Sequence, residues 1–404
     1  MPIIELDIRT FTTIEMLKPE SCSHEITTGY FEDEADVWYC KEALDETRAR
    51  HEILGQEFYR LLLPYHPEMR LAKDFETGQW FTLSKAVIGF QPIPIQKKLR
   101  LTSGVYTGLG QILVLAIFLH EIDLNMGNLG LNQDNKFIKI DGDWIFSSLV
   151  RPDLLVGKSS DITPELFDSL PHLTNYDAYN WLDILNKGEP RSSDIFSDSL
   201  VGAPHFRFEI NAAILQIILL SDNHIRRFTE FYLPENAESL NRFLLERKEK
   251  LKQSAVKNES FIRFLLSLAA EEVMRPHLST IKNYVSMTLT SPFVLIDDSD
   301  FEQDCWSILR LLRSEIRQVP RTATCSSAPE EDEMFCDIET DAESFSSQPP
   351  FSAVDRNRMF RIRSASSESS ASSESLTSSR SSSCSSTSMR FNRTFSDLSS
   401  MGAK

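Results

Sequence analysis

The sequence is poor in the features that make a disulfide scaffold, a nucleic-acid binder or a membrane span. Its six cysteines (Cys22, Cys40, Cys305, Cys325, Cys336 and Cys384) form no CxxC pair, and three fall in a stretch too polar to pack. That is the pattern of reduced thiols in a cytosolic setting. Positive charge is short as well: 42 Lys and Arg stand against 59 Asp and Glu, a formal net charge of -17. No broad positive field remains for nucleic acid or an anionic membrane, so any such contact has to be local. The apolar run Ile112 to Leu119 is too short to span a bilayer, and "MPIIELDIRTF" lacks the basic region and apolar run of a secretory signal. A protein that is soluble where it works is expected.

What is present is ample for a core: 404 residues with 41% hydrophobic content, enough for two domains or one large domain with appendages. Up to about residue 320 apolar and polar residues alternate with regular punctuation; beyond "RQVPRTATCSSAPEEDEMF" the composition changes. Glu330 to Glu343 holds eight acidic residues, and 19 of the 37 residues from Ser364 to Ser400 are serine. So few apolar groups cannot offset an ordering entropy of roughly 1 to 2 kcal/mol per residue, and a disordered tail over 321–404 is expected.

Residues 1–92 read as a small β-rich lobe. "IELDIRTF", "HEITTGYF", "DVWYCKEA", "EMRLAKDF" and "WFTLSKAVIGF" are rich in β-branched and aromatic residues. One helix interrupts them, "ETRARHEILGQEFYRLLLP", with Ile53, Leu54, Phe58, Leu61 and Leu62 at helical spacing and Pro64 at its end. Residues 93–320 read as a larger helical lobe, from "GLGQILVLAIFLHEI" to "DCWSILRLLRSEIRQ". The expected fold class is α+β and bilobal.

Asp123 and Asn128 stand five residues apart just after an apolar helix, and Asp141 follows thirteen residues later at the end of "KFIKI". Phosphoryl transfer needs such parts: a carboxylate near the attacking hydroxyl, hard oxygen ligands for magnesium, and a lysine on the phosphates. Lys41 ends a strand, and Glu57 lies sixteen residues on in the helix of the small lobe, where it is expected to pair with Lys41. The run "WFTLSKAVIGFQPIP" reads as strand and hinge, where backbone groups from Ile88 to Phe90 would meet an adenine edge.

In this order and spacing the chain resembles the protein-kinase-like superfamily, and is similar to HipA-like toxin kinases and phosphoinositide kinases. It looks most like kinase-fold effectors that intracellular bacteria inject into host cells by type IV secretion, through "IDLNMGN...IKIDGDW" and "NYDAYNWLDIL" over roughly residues 25 to 190. The resemblance implies ATP and Mg2+ as cofactors, with Lys41 and Glu57 on the nucleotide, Asp123 catalytic, and Asn128 and Asp141 on the metal. It also implies a protein substrate in the host cytoplasm; without the secretion route the location would be cytoplasmic.

Several family parts are missing. No GxGxxG precedes Lys41, and only Gly29 is available for a tight turn; the usual HRD is "EID", so Ile122 replaces an arginine; Asn125 stands where many serine/threonine kinases have lysine; "DGD" replaces DFG; no APE is seen. A phosphoinositide or small-molecule kinase, and a pseudokinase scaffold, therefore stay open beside a protein kinase.

Other features have plainer readings. His120 is expected to close a helix or to bond locally, with no catalytic part. Arg247, Lys248, Lys250 and Lys252 form either a solvated helical face or a grip for an inositol phosphate or phosphoinositide. In the tail, arginines three residues ahead of Ser366 and Ser396 suit basophilic kinases and phosphoserine readers such as 14-3-3, against the alternative of a passive linker. The acidic run resembles the glutamate-rich secretion signals of type IV effectors, or is a spacer.

Overall fold

The computed structural model describes residues 5–17, 25–32, 34–93, 101–182, 200–286, 293–295 and 301–318. Met1–Ala323 form one compact unit; the second, Thr324–Lys404, lies outside the described residues, as do the acidic run, Ser366, Ser396 and four of the cysteines. The two described cysteines, Cys40 and Cys305, are free and buried.

The first strand expected from the sequence is two. β1 (Glu5–Asp7) and β2 (Phe11–Leu17) are separated by a 3₁₀ turn over Ile8–Thr10, opened by Asp7 accepting from the Arg9 amide at 3.1 Å. β3 (Ile26–Phe31), β4 (Trp38–Ala43), helix α1 (Glu46–Leu62), β5 (Met69–Lys73) and β6 (Trp80–Lys85) complete a sheet of order β1-β5-β6-β4-β3-β2. β1 and β2 are thus its opposite edges, joined by three residues. Six flat strands would span about 24 Å, and three residues reach about 10 Å, so the sheet has to curl. Leu6, Trp38, Cys40, Ala72 and Leu83 fill one small core, with Phe11 edge-on to Phe31 beside it. Period-two alternation along β4 sends Cys40 to that core and Lys41 to the opposite face, toward α1.

The chain leaves the sheet through a turn closed by the Phe90 amide on Val87 O, and β7 (Gln91–Pro92) pairs with a hairpin of the helical region. That region runs through α2 (Leu109–Leu119), β8 (Asp123–Leu124), the hairpin β9 (Leu129–Leu131) and β10 (Phe137–Lys139), short helices α3 (Ser147–Val150) and α4 (Pro164–Ser169), and β11 (Asn180–Trp181). Then come α5 (Pro204–Leu219), α6 (Asp222–Tyr232), α7 (Ala237–Ala255), α8 (Glu259–Leu266), α9 (Ala269–Lys282), β12 (Val285–Ser286), β13 (Phe293–Val294) and α10 (Phe301–Gln318). Two long helical stretches of the sequence are each broken once: Ser221 accepts from the His224 amide and starts α6, and Ser267 separates α8 from α9. No described helix is long and apolar enough to cross a membrane.

Helix α2 sets the site. Ten of its eleven residues are buried, as its nearly uniform apolar sequence requires. Both ends are satisfied by side chains from other helices. At the start Glu209 of α5 accepts from the Gly108 and Gly110 amides at 2.7 and 2.9 Å. At the end Arg247 of α7 donates to Phe118 O at 2.8 Å and also to Ile117 O.

Candidate active site

Lys41 points from β4 into a cluster of three carboxylates. Its Nζ lies 2.6 Å from Glu52 Oε1, 2.6 Å from Asp143 Oδ1 and 3.0 Å from Asp141 Oδ1. Glu52 comes from α1, which Asp45 starts by accepting from the Arg48 amide at 2.8 Å. Asp141 and Asp143 come from the segment after β10, where Asp141 turns the chain at φ 63. Burial disfavours the ammonium, but Asp141, Glu52 and Asp143 overcome it and hold the Lys41 pKa well above the usual lysine range. Against the opposing effect of burial, Lys41 and Lys139 hold Asp141 at about 2. Burial pushes Glu52 upward; Lys41 opposes the rise, and Asp143 and Asp141 add to it. One cation against three carboxylates leaves a negative excess, and one oxygen of each carboxylate lies within 4.8 Å of the others.

The expected Lys41–Glu57 pair is not formed; Glu52 takes that place. Glu57 faces the helical region, fully buried, pairing with Arg60 at 2.6 Å and accepting from the Met69 amide at 2.6 Å and the Tyr232 hydroxyl at 3.2 Å; Tyr284 donates to it too. The reason is helical phase: at about 100° per residue, Glu57 falls within the stripe of Ile53, Leu54, Phe58 and Leu61, and Glu52 falls on the other side.

From the end of α2 the chain turns sharply at His120, φ 52, whose Nδ1 meets Ser148 Oγ. Ile122 is buried, and its carbonyl accepts from the Tyr179 and Asn180 amides at 3.0 and 2.8 Å. Asp123 follows. Burial raises its pKa, and hydrogen bonds from Asn180 and Asn125 oppose the rise. Both amides donate to the same oxygen, Oδ1, at 2.6 and 3.2 Å. Asn125 in turn accepts from the Gly127 amide at 2.8 Å, so it serves the loop internally. Asn128 donates from Nδ2 to the Asp123 carbonyl at 3.0 Å, which leaves its Oδ1 as the free end of the amide, and its backbone carbonyl accepts from the Ile140 amide at 2.8 Å. The antiparallel β9–β10 hairpin, with Leu129 opposite Lys139, brings Asn128 beside the chain that carries Asp141.

Behind this loop lies a second ion pair. Lys139 is fully buried, 2.9 Å from Glu121 Oε1, and also donates to the Asp141 carbonyl. Tyr59 donates to Glu121 Oε2 at 2.8 Å, and the Lys139 amide donates to His66 Nε2 at 3.2 Å. Burial pushes the Glu121 carboxyl up, and Lys139 pulls it back.

Other expected residues are placed as follows. The Ile88 side chain points to solvent and the Phe90 amide is used by its own turn, while the Phe90 ring lies over Gly130. Gly29 makes no turn: it sits inside β3, where a Cβ would lie 2.3 Å from Thr12 O and 2.6 Å from the Phe11 ring. The basic stretch is not a free face. Arg247 is buried at the end of α2, Lys248 pairs with Asp222 at 3.0 Å, and Lys252 pairs with Glu315 at 3.2 Å; Lys250 is exposed. Three functional candidates were not singled out from the sequence: Glu52, Asp143 and Asn180. Asp143 was legible as the second acid of "DGD", and Asn180 lies in "NYDAYNW".

A small sheet carrying a lysine and one helix, a single crossing strand, and a helical region that returns a loop and hairpin to that lysine make up the bilobal α+β plan expected from the sequence. No protein-family model matches the sequence, and no curated protein matches it. Among solved structures, the proinflammatory kinase CtkA of Helicobacter pylori is similar over 68% of this chain and 99% of its own, at 13% identity and a TM-score of 0.39. The PknI kinase domain of M. tuberculosis is similar over 60% of this chain and 95% of its own, at 14% identity and a TM-score of 0.22.

Proposed function

We propose that the chain is an atypical, Mg-ATP-dependent kinase that phosphorylates a protein hydroxyl. One observation carries the reading: Lys41 of the sheet reaches Asp141 and Asp143 of the helical region, 3.0 and 2.6 Å away, beside a loop that presents Asp123. The donor set suits magnesium, since hard carboxylate oxygens converge and the cluster has a negative excess that a divalent cation balances. Asp141, Asp143 and Asn128 would hold the metal, with Glu52 steadying Lys41 on the nucleotide. Bound Mg-ATP supplies the phosphoryl group and the neutralisation of its charge. Asp123 Oδ2, to which no described residue donates, orients the acceptor hydroxyl and takes its proton; the raised pKa makes the carboxylate a better base for that step.

A lipid or small-molecule kinase is the second reading, favoured by Asn125, whose side chain is spent within the loop and offers no charge to a phosphate. Secretion into a host by a type IV system and a phosphoserine-binding partner on the tail belong to the same proposal and rest on the sequence. Incubation with labelled ATP, magnesium, a protein mixture and phosphoinositides tests it, with Asp141→Ala as control. Label on protein that disappears in the variant supports the reading. Label in lipid replaces it with the second. Nucleotide binding by thermal shift with no transfer to any acceptor makes the chain a pseudokinase scaffold.

A further inference from the structure

The segment before residue 183 is tied to the catalytic loop by main chain as well as side chain. β11 pairs in parallel with β8, Asn180 opposite Asp123 and Trp181 opposite Leu124, and the Leu182 amide donates to Leu124 O at 2.6 Å. The same segment is closed on itself upstream: the Asp177 amide donates to Ser159 O and the Asp177 side chain accepts from the Ser159 amide, both at 2.8 Å. Trp181 Nε1 donates to Pro171 O at 2.8 Å. A strand pair of two residues has little stability of its own, so side-chain contacts decide whether it stays docked.

The strongest side-chain contact is the 2.6 Å bond from Asn180 Nδ2 to Asp123 Oδ1. Asn125 adds a longer one, 3.2 Å, to the same oxygen. Two donors on one oxygen fix the carboxylate's rotation and leave the other oxygen facing away from both. A hydrogen bond to a charged group is among the stronger ones proteins make.

We propose that Asn180 is a positioning residue of the acceptor site: by holding Asp123 Oδ1 it makes Oδ2 the oxygen presented to the acceptor hydroxyl. It also makes that presentation depend on docking of residues 176–182. The inference rests on the transferase reading. Asn180 acts through Asp123, so its loss affects the transfer step and leaves nucleotide binding at Lys41 and Asp141 alone.

The test uses the full-length chain. In Asn180→Ala, kcat falls about 10- to 100-fold while KM for ATP stays within about twofold of wild type. Asn180→Gln, which returns the amide, recovers part of the rate. A second readout needs no activity: amide hydrogen exchange over 179–182 speeds up in Asn180→Ala and not in Asn125→Ala. An Asn180→Ala protein with full kcat and unchanged exchange overturns the inference. So does equal loss in both Asn180 variants together with lost nucleotide-dependent thermal stabilisation, which would make Asn180 structural. A wild-type chain that transfers to no acceptor overturns the transferase reading and this inference with it; an active wild type with an unimpaired Asn180→Ala overturns the inference alone.

Discussion

Two lysine–glutamate pairs stand on either side of Asp141, and they are built differently. Lys139 and Glu121 are sealed from solvent, one cation to one carboxylate, with Tyr59 and the Asp141 carbonyl completing their hydrogen bonds. Lys41 and Glu52 share their site with Asp141 and Asp143, one cation to three carboxylates, and the Asp141 side chain keeps 40% of its surface open. Balance marks the pair that holds the loop in shape. Excess charge facing solvent marks the pair that, on the proposed reading, receives a cation. Removing a member of the first therefore costs stability, and removing a member of the second costs function.

The sharpest way to break this contrast is Asp141→Ala, which should lower phosphoryl transfer by more than about 1,000-fold with a stable, folded protein, as measured by label incorporation and circular dichroism. Next is Lys139→Met. It strands Glu121 without a partner and should destabilise the chain by about 3–5 kcal/mol in urea unfolding; adding Glu121→Gln should recover much of that loss, and a cycle that shows no coupling would sink the idea of a balanced pair. Glu52 and Glu57 of α1 give the third comparison. Glu52→Gln should cut transfer about 10- to 100-fold at little cost in stability, because two carboxylates still face Lys41. Glu57→Gln should instead lower the melting temperature and leave the Lys41 cluster intact.

The smallest effect concerns a third kind of buried carboxylate, one held by helix amides alone. Burial pushes Glu209 up to about 7, and the amides of Gly108 and Gly110 only partly oppose it. The folded state thus keeps its proton over a range where the unfolded chain, near 4.5, has released it. Stability from this group is complete below about pH 4.5 and declines by at most about 1.4 kcal/mol per pH unit as pH rises to about 7. Glu209→Gln should flatten that slope in unfolding curves recorded across the window.

Much of the plan was legible from residue order. The strands and helix of the small lobe show in their β-branched, aromatic and 3.6-period patterns, and the spacing of Asp123, Asn128 and Asp141 follows from a short hairpin whose "NQDN" turn is written in the sequence. Glu52 was harder, since Glu52 and Glu57 are both plausible by distance from Lys41. The cue was available: a glutamate inside an apolar stripe is bound for the interior and must find partners there, as Glu57 does in Arg60, Tyr232 and Tyr284. Arg247 hid in the same way, a charged residue within a basic run that turned out to close another helix. Asn180 lies in the stretch "NYDAYNW", but its role was not legible there, because a two-residue parallel pairing with a strand 57 positions away is decided by tertiary packing alone.

Helix α2 has a dynamic consequence. With no face to solvent and both ends held by side chains of α5 and α7, it has no inexpensive way to fray, and its interior amides should exchange only when the whole unit opens. The loop that starts three residues beyond it inherits that stillness at its root. Thermal wandering of the Asp123 carboxylate is left to its own side chain and to the grip of two asparagines.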